Sequence, residues 1–580
     1  MTDLLSRKRK CPSNNPLTRT KRSHNDKRSD FTQALLSNEL VLHIFSYLSA
    51  KELTQCAKVN SSWYRLANDD LLWKLLFLRR FHNPLLVDLK EHPKLLKRWQ
   101  ERATHRDSYN SSNNNKRKRS EWKIIYKTNH NWRSGNCRMT YVDVDEEDKK
   151  LAPPDNNNNY NPTSSYVQFA HDILYIASTT VPLIEVWKVK NSGQPIMLRQ
   201  LETATLNINQ ITSLKLDLAS SPNIHRLVAG YTGGGFSVWE ITFDNNSSST
   251  TSDDIDYSSS TTCSATEVVI YIPKVRRRDH IISIGISYPM LLTCSSDMRL
   301  TAFCIDSSLD QRQAARFVYE LKSHIRWDPM SVEIDRCNDE NNRWRAMVCF
   351  GMPVGLNAYT VGIQEIILSK DTLISSRHCT ALNQEDLFFT SSPFNHSTTP
   401  ISEYSQQPIT AVSYSEPYLI TAHANNTIKQ YYVQFSNNNK LEIIFAQTLY
   451  GHTSKVSALA LDASIGRLVS GDKFGIKLWD VPCSGKRNNN SNNSIFMHDE
   501  PNNHSDDHAT YYQRRHIAGT EYIVSIDGTA VGHDTLPFRD MEWLQFDTDK
   551  IVAVVRDERK KDSKREKFSV RIWSFSEGAI

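Results

Sequence analysis

Few residues of this chain have the types and the spacing that chemistry requires. The ten cysteines are scattered, with no CxxC pair and no Cys/His cluster at the spacing of a zinc site. No GxGxxG, GxxxxGK[ST], HExxH or GxSxG motif occurs in a context suited to phosphate binding, metal binding or nucleophilic catalysis. Gly233-Gly234-Gly235 lies between two predicted strands and indicates a turn rather than a phosphate cradle. The sequence therefore predicts no catalytic centre, no cofactor and no metal, so any enzymatic effect is expected to come from partners.

The charge of the chain is concentrated at its N-terminus. Lys and Arg total 70 against 64 Asp and Glu, a formal net charge of +6. Residues 1–30 hold nine basic and three acidic residues, and since 9 − 3 = 6, the remainder is neutral overall. A neutral folded part argues against a nucleic-acid partner. Residues 1–30 are predicted to be a disordered basic tail.

The basic tail contains a possible address signal. Arg7-Lys8-Arg9-Lys10, with Arg19 to Arg22 beyond it, resembles a bipartite nuclear import signal, and a merely solvating tail explains the same charges. No apolar run approaches the roughly 18 residues that span a bilayer, and the N-terminus has no signal-peptide core. Scattered cysteines without a CxxC pair are typical of a reducing compartment. We expect a soluble intracellular protein, in the nucleus and/or the cytoplasm, with no membrane partner.

Residues 35–81 must be organised by helices, because apolar residues recur there at intervals of three and four. Leu36, Leu40, Val41, Ile44, Phe45 and Leu48 share one face of a first helix. A second helix is predicted from Glu52 to about Leu66, and a third after Asn68-Asp69-Asp70, whose side chains suit a helix N-terminus. Three short helices make a very small core, and such a unit usually leans on a partner.

These residues resemble an F-box. The residues that match the family pattern are Leu36, Glu39, Ile44, Phe45, Leu48, Leu53, Cys56, Val59, Trp63, Leu72 and Trp73. Ser37 departs from the pattern, which prefers proline, so the first turn is expected to be less preorganised. An ordinary three-helix core fragment is the alternative. The resemblance implies docking on the adaptor of an SCF-type ubiquitin ligase through Leu36, Leu40, Ile44, Phe45, Leu48, Leu53, Val59, Trp63, Leu72 and Trp73.

The next segment is predicted to be a helical linker. Residues 84–105 show one or two helical patterns, and an Asn/Ser-rich loop follows with Lys116-Arg117-Lys118-Arg119. A helix from Ser120 to about Thr128 then leads into residues 131–135. This WKIIY…NWRSG stretch resembles the linker of F-box/WD-repeat proteins, whose use would be to hold two domains rigidly. A plain interdomain helix is the alternative.

From Cys137 the sequence changes to short β-rich runs, each closed by an aromatic residue. The best unit, Leu449 to Val481, resembles the WD-repeat consensus. In that consensus a His, a strand Ser/Thr, a turn Asp and the Trp form a buried hydrogen-bonded chain, which implies this role for His452, Ser470, Asp472 and Trp479. A catalytic role for His452 is the alternative, although the structural role explains it.

Six weaker copies give a seven-bladed propeller after the N-terminal helices, so the fold class is α plus all-β. The copies close on Trp187, Trp239, Phe303, Tyr359, Tyr431 and Trp573. Their spacings exceed the roughly 40 to 45 residues of a compact repeat, and the excess is assigned to disordered loops at 245–262, 372–407 and 486–507. Because an open ring leaves a sheet edge, residues 137–143 are expected to complete the last blade.

The predicted domains are therefore a disordered tail (1–30), an F-box (31–82), a helical linker (83–136) and a WD-repeat propeller (137–577). Resemblance to F-box/WD-repeat proteins implies the substrate receptor of an SCF-type ligase, which links a protein substrate to an adaptor and a cullin-RING core. A non-catalytic scaffold acting outside a ligase is the alternative. Nucleic-acid binding through the tail is a third and weaker hypothesis.

The family resemblance implies a substrate face at the positions from which its members bind phosphorylated segments through arginines. Here those positions fall near Thr212, Thr410, Ser457, Thr232, Ser296, Ala424 and Asp472, and none is basic. An anion reader needs charged donors, preferably Arg. Lys455, Lys473, Arg299 and Lys429 lie nearby in the sequence. The candidate substrate-binding residues are Lys455, Ser457, Lys473, Thr410 and Arg299, and a polar or hydrophobic substrate patch is as good an expectation as a phosphorylated one.

Overall fold

The computed structural model describes residues 37–81, 121–143 and 167–576. The last stretch has gaps at 171, 178–181, 190–193, 203–209, 218–223, 245–261, 274–278, 307, 325–329, 338–341, 356–357, 382–406, 436–439, 482–520, 528–537 and 558–567. The predictions for the basic tail, for helices at 84–105, for the basic loop at 116–119 and for the loop at 486–507 lie outside the described residues. The chain divides into two compact units, Met1–Leu76 and Phe77–Ile580, and each is described by itself.

The first unit is built from short helices with capped starts. They are α1 (Asn38–Phe45), α2 (Ala50–Cys56), α3 (Ser61–Ala67) and α4 (Asp70–Phe81), the last of which runs past the boundary of the unit. Ser37, where the family pattern has proline, caps α1 by accepting the Leu40 N–H at 3.5 Å. Ser49 and Glu52 form a reciprocal capping box at α2. The Ser37 side chain therefore caps the first turn of α1 in place of the proline of the family pattern.

The predicted second helix is wrong in one respect. Residues 52–66 form two helices rather than one, because the Asn60 side chain accepts the Trp63 N–H at 2.8 Å and starts α3 anew. The two helices and α1 enclose a small core of Phe45, Leu53 and Leu66. Trp73 on α4 is fully buried, and its Nε1–H donates to the Ala67 carbonyl at 2.8 Å.

The second unit contains α5 (Glu121–Ser134) and a seven-bladed β-propeller, as predicted. Each blade is a four-stranded antiparallel sheet. Blades 1 to 3 are β2 (Val167–Ala170), β3 (Ile173–Ala177), β4 (Leu183–Lys188), β5 (Ile196–Glu202); β6 (Ile211–Asp217), β7 (Ile224–Tyr231), β8 (Phe236–Asp244), β9 (Thr262–Tyr271); and β10 (Ile281–Ser287), β11 (Met290–Ser295), β12 (Arg299–Ile305), β13 (Ala315–Lys322).

Blades 4 to 6 follow the same order. They are β14 (Met330–Arg336), β15 (Trp344–Gly355), β16 (Ala358–Leu368), β17 (Leu373–Thr380); β18 (Ile409–Ser415), β19 (Tyr418–His423), β20 (Ile428–Phe435), β21 (Leu441–Leu449); and β22 (Ala458–Asp462), β23 (Arg467–Asp472), β24 (Gly475–Asp480), β25 (Glu521–Asp527). Blade 7 combines β26 (Phe538–Phe546), β27 (Lys550–Asp557) and β28 (Phe568–Ser574) with β1 (Arg138–Asp143).

The ring closes through the two ends of the propeller sequence. β1 pairs antiparallel with β28, from Arg138 opposite Ser574 to Asp143 opposite Ser569, which confirms the expected fourth strand of the last blade. The first strands of successive blades contact one another around the whole ring. Apolar side chains fill the space between neighbouring blades, as where Ile184 and Val186 of blade 1 meet Leu227 of blade 2. Each blade is therefore stabilised mainly by its neighbours.

Two boundary predictions for blade 4 are wrong. The sequence predicts Tyr359 as the closing aromatic, but this residue lies near the start of β16, which continues to Leu368. The buried residues near the end of that strand are aliphatic, Ile366 and Leu368, so a search for an aromatic stopped too early. The predicted loop at 372–407 contains β17, whose alternating burial identifies it as the outer strand.

Candidate functional site

The first unit presents an apolar helix surface. Leu40 and Ile44 on α1 and Tyr47 in the turn that follows it are spaced by four and three residues and continue one face, with exposed fractions of 53%, 51% and 72%. Leu71 and Leu75 are exposed one turn apart on α4, and Val59 is exposed after α2. We call these six residues the exposed apolar set. Leu40, Ile44 and Tyr47 make one of these faces continuous, and contiguous exposed apolar surface of this kind indicates an interaction site.

The structure divides the predicted adaptor-binding residues into two groups. Leu40, Ile44 and Val59 are exposed, whereas Leu36 lies outside the described residues. Leu48 and Trp63 are partly buried, and the Trp63 ring packs edge-on against Phe45 at 5.3 Å. The prediction is corrected for four residues. Phe45, Leu53, Leu72 and Trp73 are buried in the core of the domain itself, where they support the exposed face.

Sequence reasoning missed three members of the exposed apolar set. Tyr47 follows Leu40 by seven residues, which is the helical interval already used for that stripe. Leu71 and Leu75 lie on either side of Leu72-Trp73, and the family pattern points to that pair instead. The interval was a usable signal for Tyr47. For the leucines, only the packing of α4 separates the buried side chains from the exposed ones.

In blade 6 the four predicted residues are joined by hydrogen bonds. Trp479 Nε1–H donates to Ser470 Oγ at 2.8 Å, Ser470 Oγ lies 2.7 Å from His452 Nε2, and His452 Nδ1 lies 2.8 Å from Asp472 Oδ2. Each hydrogen bond has a donor and an acceptor if Ser470 Oγ–H donates to His452 Nε2 and His452 Nδ1–H donates to the Asp472 carboxylate. Asp472 also accepts the N–H groups of Phe474 and Gly475, at 2.9 and 3.1 Å.

This tetrad stabilises a turn rather than performing catalysis. Burial alone would raise the pKa of the Asp472 carboxyl, but the hydrogen bonds from His452 and from the turn lower it overall, so the group stays charged. All four side chains are buried, and both imidazole nitrogens are occupied within the tetrad. No reacting atom is therefore presented to a substrate at this place.

Two predicted substrate-binding hydroxyls are used between blades. Thr410 Oγ1 donates to the Val456 carbonyl of the next blade at 2.5 Å, and Ser457 Oγ donates to the Met541 carbonyl at 2.7 Å. Thr212 makes the same kind of bond, to Ile281 O at 2.7 Å. These hydroxyls connect the segments that begin successive blades, and each already donates a hydrogen bond within the propeller, which corrects the expectation that they are available to a ligand.

The basic candidates differ in their surroundings. The prediction that Arg299 binds an acidic ligand is also corrected, because this side chain already has two acidic partners. Its Nε lies 2.5 Å from Asp297 Oδ2, and its Nη1 lies 3.0 Å from Glu320 Oε1. Lys429 is buried, and that burial lowers its pKa. Lys455 and Lys473 are exposed. Of the nearby basic residues, these two are accessible to an acidic ligand.

The described part of the chain offers neither a metal site nor a membrane span. It contains no group of three or more His, Cys, Asp and Glu side chains arranged to hold a metal ion. Within the same residues, no helix combines the length and the apolar character needed to cross a lipid bilayer.

A helical F-box followed by a seven-bladed propeller defines the class of protein. Comparison with known families agrees: the family model described as F-box-like matches residues 38–79, and that of the F-box protein pof12 beta-propeller matches residues 158–565. The chain belongs to the F-box protein pof12 beta-propeller family. The predicted membership of the F-box proteins with a propeller is confirmed.

Individual relatives share shorter segments. F-box protein pof12 of Schizosaccharomyces pombe is 31% identical over 136 residues, 23% of this chain and 27% of the relative. Human F-box/WD repeat-containing protein 8 is 41% identical over 54 residues, 9% of each chain. The Rho GTPase-activating protein gacFF of Dictyostelium discoideum is 44% identical over 59 residues, 10% of this chain and 7% of the relative. The matches therefore span about a quarter or less of these relatives.

Proposed function

We propose that this chain is the substrate-recognition subunit of an SCF-type, cullin-RING ubiquitin ligase. The helices of residues 38–79 dock on the adaptor, and the propeller holds a protein substrate for ubiquitination. The observation that carries the proposal is the exposed apolar set on an F-box whose own core is already complete. Proteins that combine an F-box with a propeller are typically non-catalytic receptors, and we assign this chain the same non-catalytic role.

The physical contribution of such a subunit is proximity. Holding a substrate near the ubiquitin-charged enzyme of the ligase raises the effective concentration of its lysines, without this chain touching the bond that forms. A large interaction surface and no catalytic group are sufficient for this role. The proposed partners are an SCF adaptor, the cullin-RING core that it recruits, and a protein substrate.

The decisive experiment replaces two exposed aliphatic side chains by carboxylates. In the full chain with Leu40→Asp and Ile44→Asp, each carboxylate would have to be buried unpaired in an apolar interface. We expect the affinity for a purified SCF adaptor to fall at least about a hundredfold. Binding is measured by titration of the adaptor, and unchanged affinity would rule the proposal out.

A matched control separates docking from general surface damage. Phe317→Asp changes a residue of 57% exposure on β13 of the propeller and is expected to leave adaptor affinity unchanged. A ubiquitination assay with the purified ligase core then distinguishes the two F-box hypotheses. A receptor supports cullin-dependent modification of a protein held by the propeller, whereas a scaffold acting outside a ligase binds the adaptor without it.

A further inference from the structure

Two aromatic side chains project from the same end of blade 6. Tyr450 is 73% exposed and lies in the segment that enters the blade, and Phe474 is 57% exposed and lies in the turn between β23 and β24. The His452 to Asp472 hydrogen bond, 2.8 Å long, joins these two segments. Lys455 and Lys473 are exposed in the same two segments. We call Tyr450, Lys455, Lys473 and Phe474 the blade-6 patch.

The blade-6 patch is held in place before any ligand arrives. Asp472 accepts the N–H groups of Phe474 and Gly475, while the imidazole of His452 fixes the other segment two residues after Tyr450. The buried tetrad thus orders both segments of the patch. A preordered surface loses less conformational entropy on binding than a flexible one.

The patch carries two exposed positive charges, on Lys455 and Lys473, next to the buried carboxylate of Asp472. No carboxylate among the described residues forms an ion pair with Lys455 or Lys473, in contrast to Arg299 of blade 3, which has two acidic partners. Lys473 Nζ lies 4.9 Å from the centre of the Phe474 ring, so charge and apolar surface are adjacent. The corresponding turn of blade 5, residues 424–427, has no charged side chain.

We propose that the blade-6 patch binds an extended segment of a partner protein in which acidic residues flank an aromatic or aliphatic residue. The apolar residue packs against Tyr450 and Phe474, and the carboxylates lie beside Lys455 and Lys473. This inference rests on the proposed function in taking the bound partner as the recruited substrate. It adds the chemistry of the segment that is recognised.

The test titrates the full chain into a fluorescein-labelled peptide of Glu and Ser residues with a central Phe. Binding is measured by the fluorescence anisotropy of the peptide. Two matched peptides replace either every Glu by Lys or the Phe by Ser. We expect the wild-type chain to bind the first peptide and neither of the others. Phe474→Ser should weaken binding about tenfold, as loss of a central aromatic contact typically does.

Charge reversal makes the test specific. The Lys455→Glu/Lys473→Glu variant is expected to lose the acidic peptide and to gain affinity for its lysine counterpart, because the sign of the patch has changed. Phe317→Ser, which alters an equally exposed phenylalanine on blade 3, should leave all affinities unchanged. Equal binding by the wild type and the patch variants would overturn the inference.

The chain itself contains a segment of the required chemistry. Glu385-Asp386-Leu387-Phe388-Phe389 lies between β17 and β18, outside the described residues. If the acidic peptide binds only after Glu385 and Asp386 are replaced by Lys, this segment occupies the patch and the proposal of a separate partner fails. Adaptor affinity is measured on the same variants. If the patch variants keep their adaptor affinity, a failure of peptide binding counts only against the inference about the patch. The adaptor affinity of Leu40→Asp/Ile44→Asp tests the proposed function separately.

Discussion

At the scale of single residues, the network of blade 6 has a modified counterpart in blade 5. The strand registers place Thr421, His423 and Tyr431 where blade 6 has Ser470, Asp472 and Trp479. Thr421 Oγ1 lies 2.9 Å from His423 Nε2. A histidine thus occupies the place of the turn carboxylate, and it is buried. Burial, and secondly the positive charge of Lys429, lower the pKa of His423 to about 4.

The first prediction is a pH dependence of stability that comes from His423. The folded pKa lies below the unfolded value of 6.5, so between these two values the unfolded chain binds a proton that the folded chain does not. Stability contributed by the neutral imidazole is therefore lost as the pH falls. We expect the wild type to lose about 2 kcal/mol of unfolding free energy from this residue between about pH 7 and pH 5.

Urea unfolding at the two pH values measures this loss. His423→Gln should remove it, since glutamine does not titrate, although the variant is expected to be less stable at both pH values. His324→Gln changes an exposed histidine of the propeller and should keep the wild-type dependence. An identical pH response of the wild type and His423→Gln would show that His423 is not the titrating group.

At the scale of elements, α5 is attached firmly to the propeller. The Trp132 ring lies between the guanidinium of Arg467, at 3.9 Å, and the ring of Phe575, also at 3.9 Å and nearly parallel. Trp132 Nε1–H donates to the Thr548 carbonyl at 2.9 Å, and Asn131 Nδ2 donates to the Phe575 carbonyl at 2.7 Å. These contacts explain why α5 continues to Ser134, beyond its predicted end near Thr128.

The opposite end of α5 contacts the last turn of α4. Phe77 packs against Trp122 at 5.7 Å between ring centres, and Phe81 packs against Tyr126 at 5.2 Å. Arg80 Nη1 donates to the Tyr126 hydroxyl at 2.8 Å. All of these residues belong to the second unit. The function of α5 as a rigid linker remains a prediction, and these contacts define the residues on which it depends.

A second prediction tests the attachment of α5. Trp132→Ala removes the stacked ring and leaves a cavity, and it should lower the unfolding free energy by about 3 to 5 kcal/mol. Denaturant unfolding followed by circular dichroism measures the change. Trp122→Ala, on the same helix but only partly buried, should cost clearly less. Equal losses for the two variants would contradict the structural role of the stack.

At the scale of the whole molecule, the proposed function requires two binding surfaces with separate tasks. The exposed apolar set belongs to the first compact unit, and the blade-6 patch belongs to the second. Variants that remove one surface should therefore leave the other intact. This separation is what a receptor needs, because the ligase and the substrate must be held at the same time.

The third prediction uses this separation inside cells. The Leu40→Asp/Ile44→Asp chain should retain its substrates without promoting their ubiquitination, so they accumulate on it and are identified by mass spectrometry after capture. Phe474→Ser should show the opposite result, with adaptor retained and substrates reduced. Wild-type levels of ubiquitination in the Leu40→Asp/Ile44→Asp cells would argue against action through a ligase.

The class of the fold could be predicted from the amino-acid sequence, because the patterns that indicate it are local. Helical spacing predicted the short helices, whose residues resemble an F-box, and repeated strands with aromatic ends predicted seven blades. The requirement that a ring leave no open edge predicted the pairing of residues 137–143 with the last blade. The resemblance of residues 449–481 to the WD-repeat consensus also implied the His452 tetrad. Local prediction failed where a blade lacked its aromatic, as at Tyr359.

Only the tertiary structure decided which side chains are available to partners. Ile44 and Phe45 are neighbours in the sequence, but one is exposed and the other lies in the core. The Ser457 hydroxyl is used by Met541 of the next blade, and Arg299 is neutralised across its own sheet. Tyr450 and Phe474 belong to one surface only because His452 and Asp472 join their segments. Burial and pairing depend on residues distant in the sequence, and packing alone brings those residues together.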